Sequence, residues 1–446
     1  MLKKREQFGS QFGLIMAAVG SAVGLGNIWR FSYIAGVNGG GAFLVVYLLC
    51  VLLIGLPVLI AELTIGRRSG LSTVSAFREL APGTFWWVAG AIGVLASTAI
   101  ACYYPAVAGW SLGYVFESIA NWSGMTADTA AAFGEFSAGP KSYIFAAAAL
   151  ALAMAILIRG VAAGIEKWSK MLMPALGGIM VILVIRSVTL PGAGAGVAFL
   201  LMPDFSEFTV GGFLDALGHS FYSLSLGMGV MITYASYMKK SANLAAATTS
   251  IIAMDTGIAL LAGLAIFPAV FAMGLRPDEG PGLVFVTLPM AFTQMPFGQI
   301  FCTLFFLLVF IAALTSLISI LQVPLAMLED RFGISRRKGL AIIAAVAVCF
   351  GAPSVMAFGV LKDFSIMGLD YFTFLDRFAN NILLPISALL GILFIIFSFG
   401  VAASRKEFLE GAGGGGRFMS ALYPIAVRTV APAAIVVIIL RAAGVF

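Results

Sequence analysis

Residues 20–31 read Gly20-Ser21-Ala22-Val23-Gly24-Leu25-Gly26-Asn27-Ile28-Trp29-Arg30-Phe31. They fall within a long apolar run, where a membrane-spanning helix ordinarily keeps its hydrogen-bond ladder whole and its side chains apolar. Three glycines, an asparagine and an arginine do the opposite. Glycine lets the chain leave helical geometry, and an unwound turn frees N–H and C=O groups that must find partners where water is scarce. The stretch therefore predicts a broken span whose freed groups face ligands. Exposed N–H ends suit a carboxylate, and freed carbonyls suit a cation.

The setting follows from composition. Of the 446 residues 61% are hydrophobic and only 10% charged, and the mean hydropathy is +1.05. Such a chain is a polytopic membrane protein, with room for roughly 11 spans of about 20 residues each. Predicted spans lie near 10–36, 41–66, 86–119, 142–158, 166–186, 212–238, 243–273, 298–329, 339–357, 370–398 and 420–443. Lys3-Lys4-Arg5 resembles the start of a signal peptide, but no small-residue cleavage site follows, so the first helix is expected to be retained. Basic residues crowd alternate ends of these spans: Lys3, Lys4, Arg5, Arg67, Arg68, Lys239, Lys240, Arg336, Arg337 and Lys338 at one side, against Lys141, Arg186, Arg276, Lys362 and Arg441 at the other. That asymmetry predicts a plasma-membrane protein with a cytoplasmic N-terminus and, for an odd number of spans, an extracellular C-terminus. The net charge of +6 reports this topology and gives no reason to expect nucleic acid.

Enzymatic chemistry finds no footing. Cys50, Cys102, Cys302 and Cys349 fall in apolar spans without metal-ligand spacing and read as buried thiols. No phosphate loop, zinc signature or nucleophile elbow occurs, and His219 is the single histidine. Segments 120–141 and 187–211 are expected as loops, 274–297 as a short helical hairpin over the membrane face, and 411–416 as a flexible linker.

A second interruption, Ser223-Leu224-Ser225-Leu226-Gly227-Met228-Gly229, sits in the sixth span as the first motif sits in the first. Two such breaks five helices apart predict an all-α fold with an inverted five-helix repeat, about 8–187 and 211–398, plus an additional helix at about 420–443. A lone Gly-x-Gly could merely allow close helix packing. Asn27, Ser223, Ser225 and the intramembrane Asp255 beside it favour a site, because a carboxylate in a span costs about 2.5 kcal/mol or more.

Gly20–Phe31, with Asn38-Gly39-Gly40-Gly41-Ala42-Phe43, Ile232-Thr233-Tyr234-Ala235-Ser236-Tyr237 and Leu328-Glu329-Asp330, resembles the neurotransmitter:sodium symporter family, in particular its bacterial amino-acid transporters with the leucine-transporter fold. The resemblance covers essentially the whole chain. It implies two sodium sites. The first would use the Ala22 carbonyl, the Asn27 side chain, Ser223, Asp255 and the substrate carboxylate; the second the carbonyls of Gly20, Val23 and Ala312 with the Thr315 and Ser316 hydroxyls. These are all-oxygen sets, suited to a hard cation. The substrate carboxylate would meet N–H groups at Leu25 and Gly26 and the Tyr104 hydroxyl, and its amino group carbonyls near Ala22, Tyr222 and Ser225. Gly24 stands where amine-carrying relatives have an aspartate, which favours a substrate that brings its own carboxylate. Ser21, Ile100, Tyr222, Met228, Ser316, Leu317 and Ile320 would line an uncharged side-chain pocket for a neutral, apolar or aromatic amino acid.

The resemblance further implies an outer gate of Arg30 with Asp370, with Asp376 as the second candidate, under a lid of Tyr104 and Tyr222. It implies an inner gate of Arg5 with Asp330, supported by Ser236, Tyr237 and Gln322, and a fifth span that unwinds between Gly164 and Pro174. Animal relatives need chloride beside the first sodium site and carry a serine at the position of Ala259. Here Asp255 supplies a fixed charge one turn earlier, so no chloride requirement is expected, with His219 either a hydrogen-bonding stand-in for a glutamine or a tuner of Asp255. Phe8 for a tryptophan, Ser32 for a proline, and about 11 spans for 12 depart from the family pattern. The function implied is sodium-coupled uptake of a neutral amino acid by alternating access. A transport-silent sensor and a symporter for another small zwitterion are the alternatives.

Overall fold

The computed structural model describes residues 6–206, 208–277, 282–410 and 415–445. Among these, eight helices are long and apolar enough to cross a membrane, and two bent pairs bring the number to ten. The sixth predicted span is the remaining one: its pieces Val210–Ser223 and Val230–Ala235 are each too short to cross alone. The bundle is built around the third span, Trp87–Ala120, and the eighth, Gly298–Phe332, whose most apolar windows are 78% and 89% buried. The fifth, Val161–Val188, is only 28% buried and lies at the periphery. Apolar residues on that outer surface face lipid, so the ordinary rule of polar outside does not apply to them.

The first span breaks as expected. Gln11–Ala22 ends at Val23, and Gly26–Val37 continues at an angle of 50°. Its second half opens with a π-turn over Gly26–Arg30. In the sixth span the chain between Ser223 and Val230 is unwound, with positive φ at Ser225 (53°), Gly227 (80°) and Gly229 (75°). Glycine takes such values without cost, whereas Ser225 is a strained exception. Several of the freed groups are met by neighbours. Gly227 N donates to Glu62 Oε1 at 2.6 Å, Thr73 Oγ1 donates to the Gly229 carbonyl at 3.0 Å, and Ser225 Oγ donates to the Ser21 carbonyl at 2.9 Å. The two breaks thus face each other.

Three expectations are corrected. Segments 120–141 and 187–211 carry the helices Trp122–Ala127, Thr129–Ala138 and Gly194–Leu201, because alanine-rich sequence favours helix and Asp128 caps Ala131 N at 2.9 Å. The 274–297 segment holds one helical unit, Leu283–Thr293, in place of a hairpin, with residues 278–281 outside the described set. Cys349 is exposed while the other three thiols are buried. The linker predicted at 411–416 lies mostly outside the described residues.

After the tenth span, Tyr371–Phe399, Gly400 (φ 91°) turns the chain into the helix Val401–Leu409. This helix is locked to the second span. Arg67 is 1% exposed, its Nε lies 2.7 Å from Glu407 Oε1, and its Nη2 donates to the Glu407 carbonyl. A chain of hydroxyls, Thr64 to Ser404 at 2.8 Å and Ser404 to Tyr423 at 2.7 Å, ties in the helix Gly415–Arg428.

Candidate substrate and ion site

Between the two breaks lies a narrow cavity, with about 20 Å³ of free space, bordered by both breaks and by the third and eighth spans. Ser21, Ala22, Leu25, Gly26, Ile100, Tyr104, Tyr222, Ser225, Met228, Ser316 and Ile320 all border it, as does Gly24. Of the expected substrate set, Ser223 and Leu317 do not. No charged side chain reaches this cavity. A Cβ on Gly24 would fall 2.5 Å from Ser316 Oγ and 3.2 Å from the Tyr104 hydroxyl, so only glycine fits there without displacement. Gly26 lies flat against the Tyr222 ring for the same reason.

Beside the cavity a polar cluster is completely buried. Asn27 Nδ2 donates to Asp255 Oδ1 at 2.7 Å and lies 3.1 Å from Ser223 Oγ, while Asn27 Oδ1 accepts from Gly24 N at 3.2 Å. Ser223 Oγ donates to Asp255 Oδ2 at 2.8 Å, and the Tyr47 hydroxyl reaches Ser223 Oγ at 3.0 Å. Asp255 and Asn27 are both 0% exposed. The structure brings together residues more than 200 positions apart, from the first, second, sixth and seventh spans, around one carboxylate. Part of the second expected set lies together across the first and eighth spans. Ser316 Oγ lies 3.4 Å from the Gly20 carbonyl and 3.2 Å from that of Ser21, and Thr315 Oγ1 lies 3.0 Å from the Ala312 carbonyl. The donors are oxygens throughout, the chemistry of a hard monovalent cation.

The gates come out differently from expectation. Arg30 does not pair with Asp370. Asp370 closes a two-residue hairpin and caps the next helix, accepting from Thr373 N at 2.9 Å and Thr373 Oγ1 at 2.6 Å. Asp376, the second candidate, forms no ion pair with Arg30 among the described residues either and accepts from Asn380 Nδ2 at 2.7 Å, while the guanidinium lies 4.7 Å from the centre of the Tyr222 ring. Arg30→Ala therefore removes the charge over the lid. A cation over an aromatic face contributes about 0.5–2 kcal/mol, so uptake is expected to fall about tenfold while the protein still inserts. Wild-type uptake by a correctly inserted Arg30→Ala protein refutes this role.

At the opposite end Phe8 is 3% exposed and packs edge-on against Tyr234 and Tyr237, with its N–H on the Tyr237 carbonyl at 3.0 Å. Gln322 Nε2 donates to the Tyr237 hydroxyl at 2.8 Å, and Asp330 accepts from Ser72 N at 2.6 Å. Ser236 Oγ turns to the Thr233 carbonyl. Arg5 lies outside the described residues. Arg336 joins this network, donating to Gln322 Oε1 at 2.8 Å and pairing with Glu329 at 3.2 Å. The stretch from Gly164 to Pro174 is helical throughout.

Sequence reasoning missed Glu62, whose Oε1 holds the unwound turn of the sixth span. It carries the same signal as Asp255, an acid within an apolar run, and could have been found by it. It also missed Ser319, 2.7 Å from Ser21 Oγ. His219 is not a hydrogen-bonding stand-in: neither ring nitrogen has a partner among the described residues, and the ring lies between Tyr47, Phe31 and Phe43.

Residues 5–132 and 138–446 match the sodium:neurotransmitter symporter family. The chain belongs to that family. It is 38% identical over 446 residues to the uncharacterized sodium-dependent transporter YhdH of Bacillus subtilis, covering 99% of both chains. It is 35% identical to a sodium-dependent transporter of Methanocaldococcus jannaschii, over 91% of this chain and 84% of the relative. Among solved structures it is similar to MhsT in complex with L-phenylalanine, at 42% identity and a TM-score of 0.90, covering 98% of this chain and 100% of MhsT. The symporter is thus a multi-pass, sodium-dependent membrane transporter with the leucine-transporter fold and is not an enzyme.

Proposed function

We propose that this symporter carries a neutral, apolar or aromatic L-amino acid into the cell with sodium by alternating access. The observation that carries the reading is the uncharged cavity set directly beside the buried Asn27–Ser223–Asp255 cluster. An amino acid with its carboxylate near Leu25, Gly26 and Tyr104 leaves its side chain against Ile100, Met228 and Ile320, and Met228 is pliable enough to admit large rings. The likeness to MhsT with bound L-phenylalanine supports the same class.

Two sodium sites fit the oxygen sets. One sodium is held by the Ala22 carbonyl, Asn27, Ser223 and Asp255, completed by the substrate carboxylate. The other is held by Gly20, Val23, Ala312, Thr315 and Ser316. Asp255 supplies the negative charge that makes chloride unnecessary. The basic residues place the N-terminus in the cytoplasm, which makes the Phe8 and Tyr237 end the inner gate and the Arg30, Tyr222 and Asp376 end the outer one.

Because the substrate carboxylate completes the first sodium shell, each ligand should tighten the other. Such coupling is reciprocal and typically about 1–3 kcal/mol, a factor of about 5–150. A thermal-shift screen of the 20 amino acids in sodium and in potassium is the direct test, since a bound ligand raises stability as RT ln(1 + [L]/Kd). Apolar and aromatic amino acids are expected to stabilise in sodium only. Equal affinity in the two salts removes the proposed coupling. Binding without uptake into proteoliposomes under an inward sodium gradient favours the sensor.

A further inference from the structure

At the end of the tenth span, away from the transport path, a groove of about 640 Å³ lies between the helices Val401–Leu409 and Gly415–Arg428. Val401, Ala402, Leu409 and Pro424 wall it, and Arg405, Lys406 and Arg428 border it together with one carboxylate, Glu410. The acids nearby are already engaged. Glu407 is taken by Arg67 at 2.7 Å and Arg68 at 3.8 Å, and Glu410 by Arg67 at 3.8 Å. Arg405, Lys406 and Arg428 are exposed and form no ion pair with the described residues.

The location decides what such a cluster meets. Gly400 is where the tenth span ends, and Arg428 stands at the 47° joint where the chain turns into the apolar helix Val430–Ala442. Arg405 and Lys406 thus follow shortly after the end of the tenth span, and Arg428 lies at the bend within the last one. The neighbouring stretches of chain carry exposed apolar side chains, Phe397 (74%), Leu422 (52%) and Ile425 (65%), surfaces for hydrocarbon and not for water. A cationic pocket with an apolar flank complements a ligand with one phosphate and two acyl chains. Guanidinium forks pair phosphate oxygens two at a time, which a bulk counter-ion does not require.

We infer that Arg405, Lys406 and Arg428 form a binding site for an anionic glycerophospholipid, its phosphate among the three cations and its chains along Leu422 and Ile425.

The full-length protein in neutral detergent is assayed by native mass spectrometry for retained phosphatidylglycerol, and by thermal melting with phosphatidylglycerol, phosphatidylcholine or inorganic phosphate. Wild type is expected to retain phosphatidylglycerol and to melt higher with it alone. Each cation near an anionic lipid surface is worth about fivefold, so Arg405→Gln/Lys406→Gln/Arg428→Gln is expected to retain about a hundredfold less, with its melting in phosphatidylcholine unchanged. Ala402→Trp fills the groove and keeps every charge, and it too is expected to lose retention. Equal retention by either variant overturns the site, as does a melting rise with inorganic phosphate alone. Neither readout depends on transport, so the lipid site and the proposed amino-acid symport stand or fall separately.

Discussion

Sodium affinity of the Asp255→Asn protein, measured in chloride-free medium, is expected to fall by about a hundredfold or more, and uptake with it. The carboxylate is completely buried and receives hydrogen bonds from Asn27, Ser223 and Tyr47. Those donors orient its oxygens but supply no charge. Sodium bound here as proposed would meet a single formal negative charge from the protein, and Asn removes it while preserving shape. Breaking one side of a buried charge pair costs about 3–5 kcal/mol, and each 1.4 kcal/mol is about tenfold. Ala259, one turn further along the same helix, offers no hydroxyl with which a mobile anion could be held. Chloride is therefore expected to leave wild-type uptake unchanged. Wild-type uptake that requires chloride, or unchanged sodium affinity in the variant, shows that the fixed charge does not serve this purpose.

The second large effect is at Gly24. Its Cβ position is 2.5 Å from Ser316 Oγ and 3.2 Å from the Tyr104 hydroxyl, two groups that close on the substrate cavity. Gly24→Asp introduces both bulk and a negative charge where the substrate carboxylate would lie. Overpacking alone costs about 1–3 kcal/mol, and the like charges, in a site without water, add to it. Amino-acid binding is expected to fall more than about a hundredfold, with the bundle still assembled because the clash is confined to a cavity. Retained amino-acid affinity in Gly24→Asp means that the carboxylate binds elsewhere.

The broken first and sixth spans were legible because glycine and polar side chains inside an apolar run have no packing explanation at that density. Asp255 was legible for the same reason, and by that criterion Glu62 should have been. What stayed hidden were choices between chemically equal candidates. Asp370 and Asp376 lie six residues apart at the start of the same span, and only the hairpin shows that the first is spent on a helix cap. His219 could hydrogen-bond or not, and the aromatic rings around it decide that it does not. The outer helices were hidden because alanine and serine serve loops and short helices alike.

The buried pair of Arg67 and Glu407 carries a consequence for what counts as the smallest working unit. The ten spans of the two repeats end at Phe399, and symmetry alone would make everything beyond them an accessory. Yet Arg67 belongs to the second span and is sealed from water by a carboxylate that comes from beyond the tenth. A chain shortened to the repeats would lose both the counter-charge and the cover over this guanidinium, and would open the inner end of the second span to water. The C-terminal helices are thus the eleventh-hour closure of the fold: the second span reaches its final environment only after the last part of the polypeptide has been made.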